Sequence, residues 1–126
     1  MYRINLDVIS KIIYVEISGS MSSAEIDAYV TELSNLVYKF DKRQYSMLFL
    51  CQRLDPFSQD NIQAIQKATE LIIDWAKKAA VVCGNRIVTK MQLKRVETEA
   101  RKNVTSSTPI MGFRFISEAL NYLNSI

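Results

Sequence analysis

The residues best equipped for chemistry in this chain are Cys51 and Cys83, Ser58, and the lysines and arginines between Arg86 and Lys102. Each thiol closes a short apolar run, residues 45–51 and 79–83. A cysteine attacks or ligates as its thiolate, which needs a cationic or metal-bearing neighbourhood. Near these two thiols the sequence offers only Arg53 and Arg86, and it contains no histidine. Ser-His and Cys-His catalysis are therefore excluded, along with the commonest general base near neutral pH. Two thiols without histidine do not make a structural metal site, so no metal and no cofactor are expected. Gly19, Gly84 and Gly112 are not spaced as a phosphate-binding loop. Glu97 and Glu99 stand two apart on an expected helix, facing different ways, which does not suit shared acid–base work. The thiols read as free, buried groups in a reducing compartment.

Three other constellations stand out. Asp55-Pro56-Phe57-Ser58 precedes a helical pattern, where a hydroxyl caps the first turn and a phosphate would meet unpaired N–H groups. Asp55 and Asp60 oppose a phosphate there by like-charge repulsion. The segment from Arg86 to Lys102 holds six basic residues against two acidic ones, so the net charge of +3 belongs to it. Lys90 and Lys94 lie four apart on one helical face, with Arg86 a turn earlier and Arg101 two turns later. Such a face is a solvated surface, or it meets an acidic protein or an anionic membrane surface. Without interleaved aromatics, nucleic acid is not an expected partner. The third constellation is a cleft rim of Cys51, Arg53, Cys83, Asn85 and Arg86, because ligands of open α/β sheets sit beyond the carboxyl ends of the strands.

The elements that position these residues follow from periodicity. Residues 4–9 and 12–17 are β-branched runs around Ser10-Lys11, an antiparallel hairpin whose partial alternation leaves one face to solvent. Ser22 and Glu25 form a capping box opening a helix with Ile26, Val30, Leu33, Val37 and Phe40 inward. The runs 45–51 and 79–83 lack polar alternation and suit strands buried on both faces. Between them Ser58 or Asp55 caps a helix predicted to reach Lys77, with Lys77 and Lys78 at its favourable C-terminal end. A third helix is predicted over 86–104, a last strand over 110–116, and a terminal helix capped by Ser117 with Leu120, Leu123 and Ile126 inward. The order ββαβαβαβα predicts a single-layer mixed, mostly parallel sheet with the N-terminal hairpin at one side and helices on its faces. At 126 residues this is one α/β domain, residues 1–126. The acidic, interrupted N-terminus is unlike a secretory leader, and no apolar run approaches a membrane span, so a cytoplasmic setting is expected.

This order resembles the STAS-like domains, which include the sporulation anti-sigma-factor antagonists and the related STAS/CRAL-TRIO-like group. The resemblance rests on the hairpin start, the strand over 45–51, the helix from Ser58 and Lys78-Ala79-Ala80-Val81-Val82-Cys83-Gly84. The ending Phe113-Arg114-Phe115-Ile116-Ser117-Glu118-Ala119-Leu120-Asn121-Tyr122-Leu123 resembles the closing strand and helix of those domains. In the antagonists a serine at the matching position is phosphorylated by a partner kinase, which switches binding off. Here that position is Ser58, but Pro56-Phe57-Ser58-Gln59 departs from the usual Asp-Ser-Ser or Asp-Ser-Thr followed by glycine. The resemblance implies a non-enzymatic, regulatory protein-binding domain that acts through Ser58, Asp55, Phe57, Lys90 and Lys94, alone or as a homodimer. The runner-up it implies is a carrier for a small apolar, lipid-like ligand. A small enzyme is the third reading.

Overall fold

A computed structural model describes residues 1–106 and 108–125. Its order is β1 (Tyr2–Asp7), β2 (Ile12–Ile17), α1 (Ser23–Lys39), β3 (Ser46–Cys51), a 3-10 turn (Gln59–Asn61), α2 (Ile62–Trp75), β4 (Ala79–Cys83), α3 (Ile87–Arg101), β5 (Ile110–Phe113) and α4 (Ile116–Asn124). The five strands form one sheet in sequence order, antiparallel between β1 and β2 and parallel from β2 to β5. This is the mixed, mostly parallel architecture expected from the element order.

Alternation along the strands divides the core into two layers. Ile13, Val15, Met47, Phe49, Cys51 and Ala79 pack on one face against Ile26, Leu33, Ile65, Ile72, Trp75 and Val96 from α1, α2 and α3. Ile12, Leu48, Ala80 and Val82 pack on the other against Ala119 and Leu123 of α4. Three right-handed crossovers running in one direction across a sheet place their helices on one side, which explains why α1–α3 are together. On the α4 side, β1 and β2 offer Arg3, Asn5, Asp7 and Glu16, with Arg3 and Glu16 directly paired. That is the solvent-facing side expected of the hairpin.

Boundaries differ where side chains arrest the backbone. The Asp7 carboxylate accepts from the N–H groups of Ile9 and Ser10, and Lys11 takes φ 58°. The first strand therefore spans Tyr2–Asp7 rather than 4–9, and Ile9 stands at the hairpin tip, 97% exposed. The second helix stops at Trp75, short of Lys77, because the Arg43 N–H donates to Trp75 and its guanidinium to the carbonyls of Ile73 and Ala76. The same guanidinium reaches the hydroxyls of Thr108 and Ser106. Arg43 thus caps α2, and Lys78 caps a different helix: its ammonium reaches Ser125 O at 2.7 Å and Tyr122 O at 3.2 Å, over the Tyr122 ring. The third helix ends at Arg101, leaving Val104 outside it, where Asn103 turns to bond the Glu70 carboxylate.

The last strand ends at Phe113, since β4 provides no register partner beyond Val82. Phe115, not Ser117, is the N-cap of α4, and Ser117 lies in its first turn. The inward position predicted for Ile126 lies outside the described residues. The capping box of α1 stands as read: Ser22 Oγ accepts from the Glu25 N–H at 3.2 Å and Glu25 accepts from the Ser22 N–H. Among the described residues, no helix is long and apolar enough to cross a membrane.

Candidate functional site

The loops beyond β2, β3 and β4 meet at the carboxyl edge of the sheet and are cross-tied there. Gly19, at φ +67°, donates to Arg53 O and accepts from the Asp55 N–H, which extends the β2–β3 pairing by one bridge to Leu54. Asp55 does not cap a helix. One of its oxygens accepts from Ser20 Oγ at 2.9 Å and the other pairs with the Arg86 guanidinium. Thr89 Oγ1 donates to Leu54 O at 3.1 Å. The Gln92 amide clamps Phe57 reciprocally, accepting from its N–H at 2.7 Å and donating to its carbonyl at 2.9 Å. Gly84 completes the join, because a Cβ there would lie 2.2 Å from the Gln52 carbonyl oxygen.

The predicted residues divide on this frame. Ser58 is exposed and N-caps the 3-10 turn before α2; its hydroxyl accepts from Asn61 Nδ2 rather than from a backbone N–H. Asp55, Ser58, Asn85, Arg86, Lys90 and Arg53 share this end of the molecule, whereas Lys94 lies a turn further along α3. Phe57 and Cys51 are buried, so neither contributes a surface contact. Arg86 and Arg101 are engaged, with Asp55 and Glu97 respectively. Lys90 and Lys94 have no ion-pair partner among the described residues. Beside them the outer face of α3 exposes Ile87 (71%), Val88 (64%) and Met91 (67%). These three point outward because Thr89, Val96 and Ala100 take the buried positions.

Sequence reasoning missed Thr89 and Gln92. The signal lay in their spacing with Val96 and Ala100: polar residues on an inward stripe need hydrogen-bond partners, and the 52–58 loop supplies them.

Beneath this edge lies a cavity of about 250 Å³, walled chiefly by apolar groups of the sheet, α2 and α3, among them Phe49, Val81, Ile65, Ile72 and Leu93. The lining residues Lys90, Lys94 and Gly112 are exposed, which places its mouth between α3 and β5. The register partners Cys51 and Cys83 both face it. Burial pushes the Cys51 thiol up to about 12, with the neighbouring Cys83 adding to the rise. Burial raises Cys83 too, opposed by the Lys90 ammonium. Burial likewise raises Tyr29 above the ordinary phenol. These raised values keep all three groups protonated near neutral pH.

No family model matches the chain, and no curated protein matches it. Solved structures do. An uncharacterized protein of the DUF3478 family from Shewanella loihica PV-4, described as having a SpoIIAA-like fold, superposes at TM-score 0.72 with 14% identity over 98% of this chain and 92% of that one. An anti-sigma factor antagonist from Mycobacterium paratuberculosis gives 0.63 with 11% identity, over 99% and 94%. The anti-sigma factor antagonist SpoIIAA in its unphosphorylated form gives 0.66 with 9% identity, over 100% and 98%. The chain therefore has the SpoIIAA-like, STAS-like fold.

Proposed function

We propose that this domain is a non-enzymatic, regulatory module that binds another protein at the carboxyl edge of its sheet. One observation carries the reading: Ile87, Val88 and Met91 form an exposed apolar patch on a rigidly tied helix. Contiguous exposed apolar groups rimmed by polar ones mark interaction surfaces. Lys90 and Lys94, beside the patch and without an ion-pair partner among the described residues, fit a partner whose contact surface is acidic at its margin. Ser58 sits on the same edge as a contact hydroxyl. Two of the structural neighbours are anti-sigma factor antagonists, which supports a partner in a regulatory system. The protonated thiols and the lack of histidine favour binding over catalysis.

The test is recovery of partners from the native host with Met91→Glu and with Tyr38→Glu, which alters an exposed aromatic on α1. A partner retained by the wild type and by Tyr38→Glu, but lost by Met91→Glu, is the expected result. Equal recovery by all three overturns the proposed surface.

A second reading is favoured by the cavity, whose volume and apolar walls suit a small lipid-like ligand held between sheet and helices. Both readings keep the protein a binder. They differ in whether the bound species lies outside α3 or beneath it.

A further inference from the structure

We infer that the cavity takes an anionic amphiphile: an apolar tail of about ten carbons with a carboxylate head held at Lys90 and Lys94. This rests on the carrier reading above and assigns it a ligand class. The tail length follows from size. A protein cavity of ~150 Å³ lined by aliphatic and aromatic side chains accommodates benzene, so one of about 250 Å³ accommodates roughly ten carbons by the same ratio. Among the described residues, Gln, Asn, Ser and Asp are missing from its walls. Its polar side chains are the two thiols, which are weak hydrogen-bonding groups, Thr69, Tyr29 and the three charged residues of α3. Thr69 Oγ1 already donates to Ile65 O. An interior of this kind recognises an unfunctionalised tail.

The head follows from charge. Among the described residues, Lys90, Lys94 and Glu97 are the charged groups lining the cavity. Glu97 is engaged by Arg101, whose Nε lies 3.0 Å from its carboxylate. The two ammonium groups stand one helical turn apart without an acid partner among the described residues, at the mouth that a tail must enter. A carboxylate there gains two cations and keeps its solvent contact. A neutral head gains neither, and a cationic head is repelled.

Titration calorimetry with decanoate and with decanol, which differ only in the head, tests the assignment. Decanoate is expected to bind about tenfold more tightly than decanol, with an advantage that shrinks as salt rises. The double variant Lys90→Gln, Lys94→Gln is expected to bind both alike. The lysines are exposed and have no ion-pair partner among the described residues, so thermal unfolding of the variant should match the wild type. Amide shift mapping should place decanoate at Cys51, Val81, Cys83 and Leu93. Equal affinity for the two probes overturns the head assignment while leaving the carrier reading in place. Failure of both probes to bind overturns the carrier reading and this inference with it. Decanoate shifts confined to the outside of α3 overturn the site.

Discussion

The buried thiol of Cys51 makes alkaline stability a direct readout of the cavity floor. Its pKa is pushed from 9.0 to about 12 by burial first and by Cys83 second. Below pH 9.0 the folded and unfolded chains both hold this proton, and the group adds no pH dependence. Above that, the unfolded chain ionises while the folded one stays protonated up to about 12, so rising pH favours unfolding throughout that window. Each unit within it costs about 1.4 kcal/mol, so near pH 10.5 the loss from this thiol is about 2 kcal/mol. Cys51→Ala removes that contribution, and it carries its own cost of about 1 kcal/mol at every pH from the smaller side chain. Cys83 and Tyr29 also have raised values, chiefly by burial, and remain in both proteins; Tyr29 loses only the smaller contribution of Cys51. The assay is urea unfolding of both proteins near pH 7.5 and near pH 10.5, under reducing conditions. The wild type should lose about 2 kcal/mol more than Cys51→Ala between the two. Equal losses would show that this thiol ionises alike in both states, and would refute its burial against the sheet.

Gly84→Ala should destabilise by about 2–3 kcal/mol, since the new methyl meets the backbone carbonyl of Gln52 and not a movable side chain. Gly112→Ala, where a Cβ meets nothing within 4 Å, should stay within about 0.5 kcal/mol in the same thermal denaturation. Arg43→Ala should cost about 2 kcal/mol by freeing the carbonyls of Ile73 and Ala76 and the hydroxyls of Thr108 and Ser106. Arg43→Lys should recover less than half of that, because an ammonium lacks the planar fork that reaches several acceptors at once.

The parts of the fold that were legible are those where local chemistry and tertiary demand coincide. Residues 46–51 and 79–83 are buried from both sides, so after Ser46 their apolar runs carry no polar alternation and name themselves as inner strands. Ser22 and Glu25 encode the start of α1 without help from elsewhere. Val8 and Ile9 misled because β-branched residues resemble strand, while the deciding signal was one carboxylate at Asp7. The end of α2 depends on Arg43, which lies 30 or more residues from the carbonyls its side chain caps. No local pattern carries such a contact. The cavity was equally hidden. Sequence placed Cys51 and Cys83 at the strand ends, yet the space before them arises from how α3 packs against α2, a property of paired surfaces. The lysines at its mouth were visible as a basic helical face, but that they line an apolar cavity became evident only with the chain folded.

The strand order has a consequence for synthesis. Each strand after the first pairs with the one just before it in the chain, so the sheet grows from one edge as the polypeptide emerges. Each parallel pairing still closes a long loop, joining Ile12 to Ser46, Met47 to Ala79 and Ala79 to Ile110, which slows assembly. The α1–α3 layer is covered as growth proceeds, each crossover helix arriving with its strand. The opposite layer has to wait. Ile12, Leu48, Ala80 and Val82 stay uncovered until α4, which follows all five strands, folds back over them. Nascent chains arrested before Ile116 should therefore carry a nearly finished sheet with one oily face open, the state in which this protein most needs a chaperone.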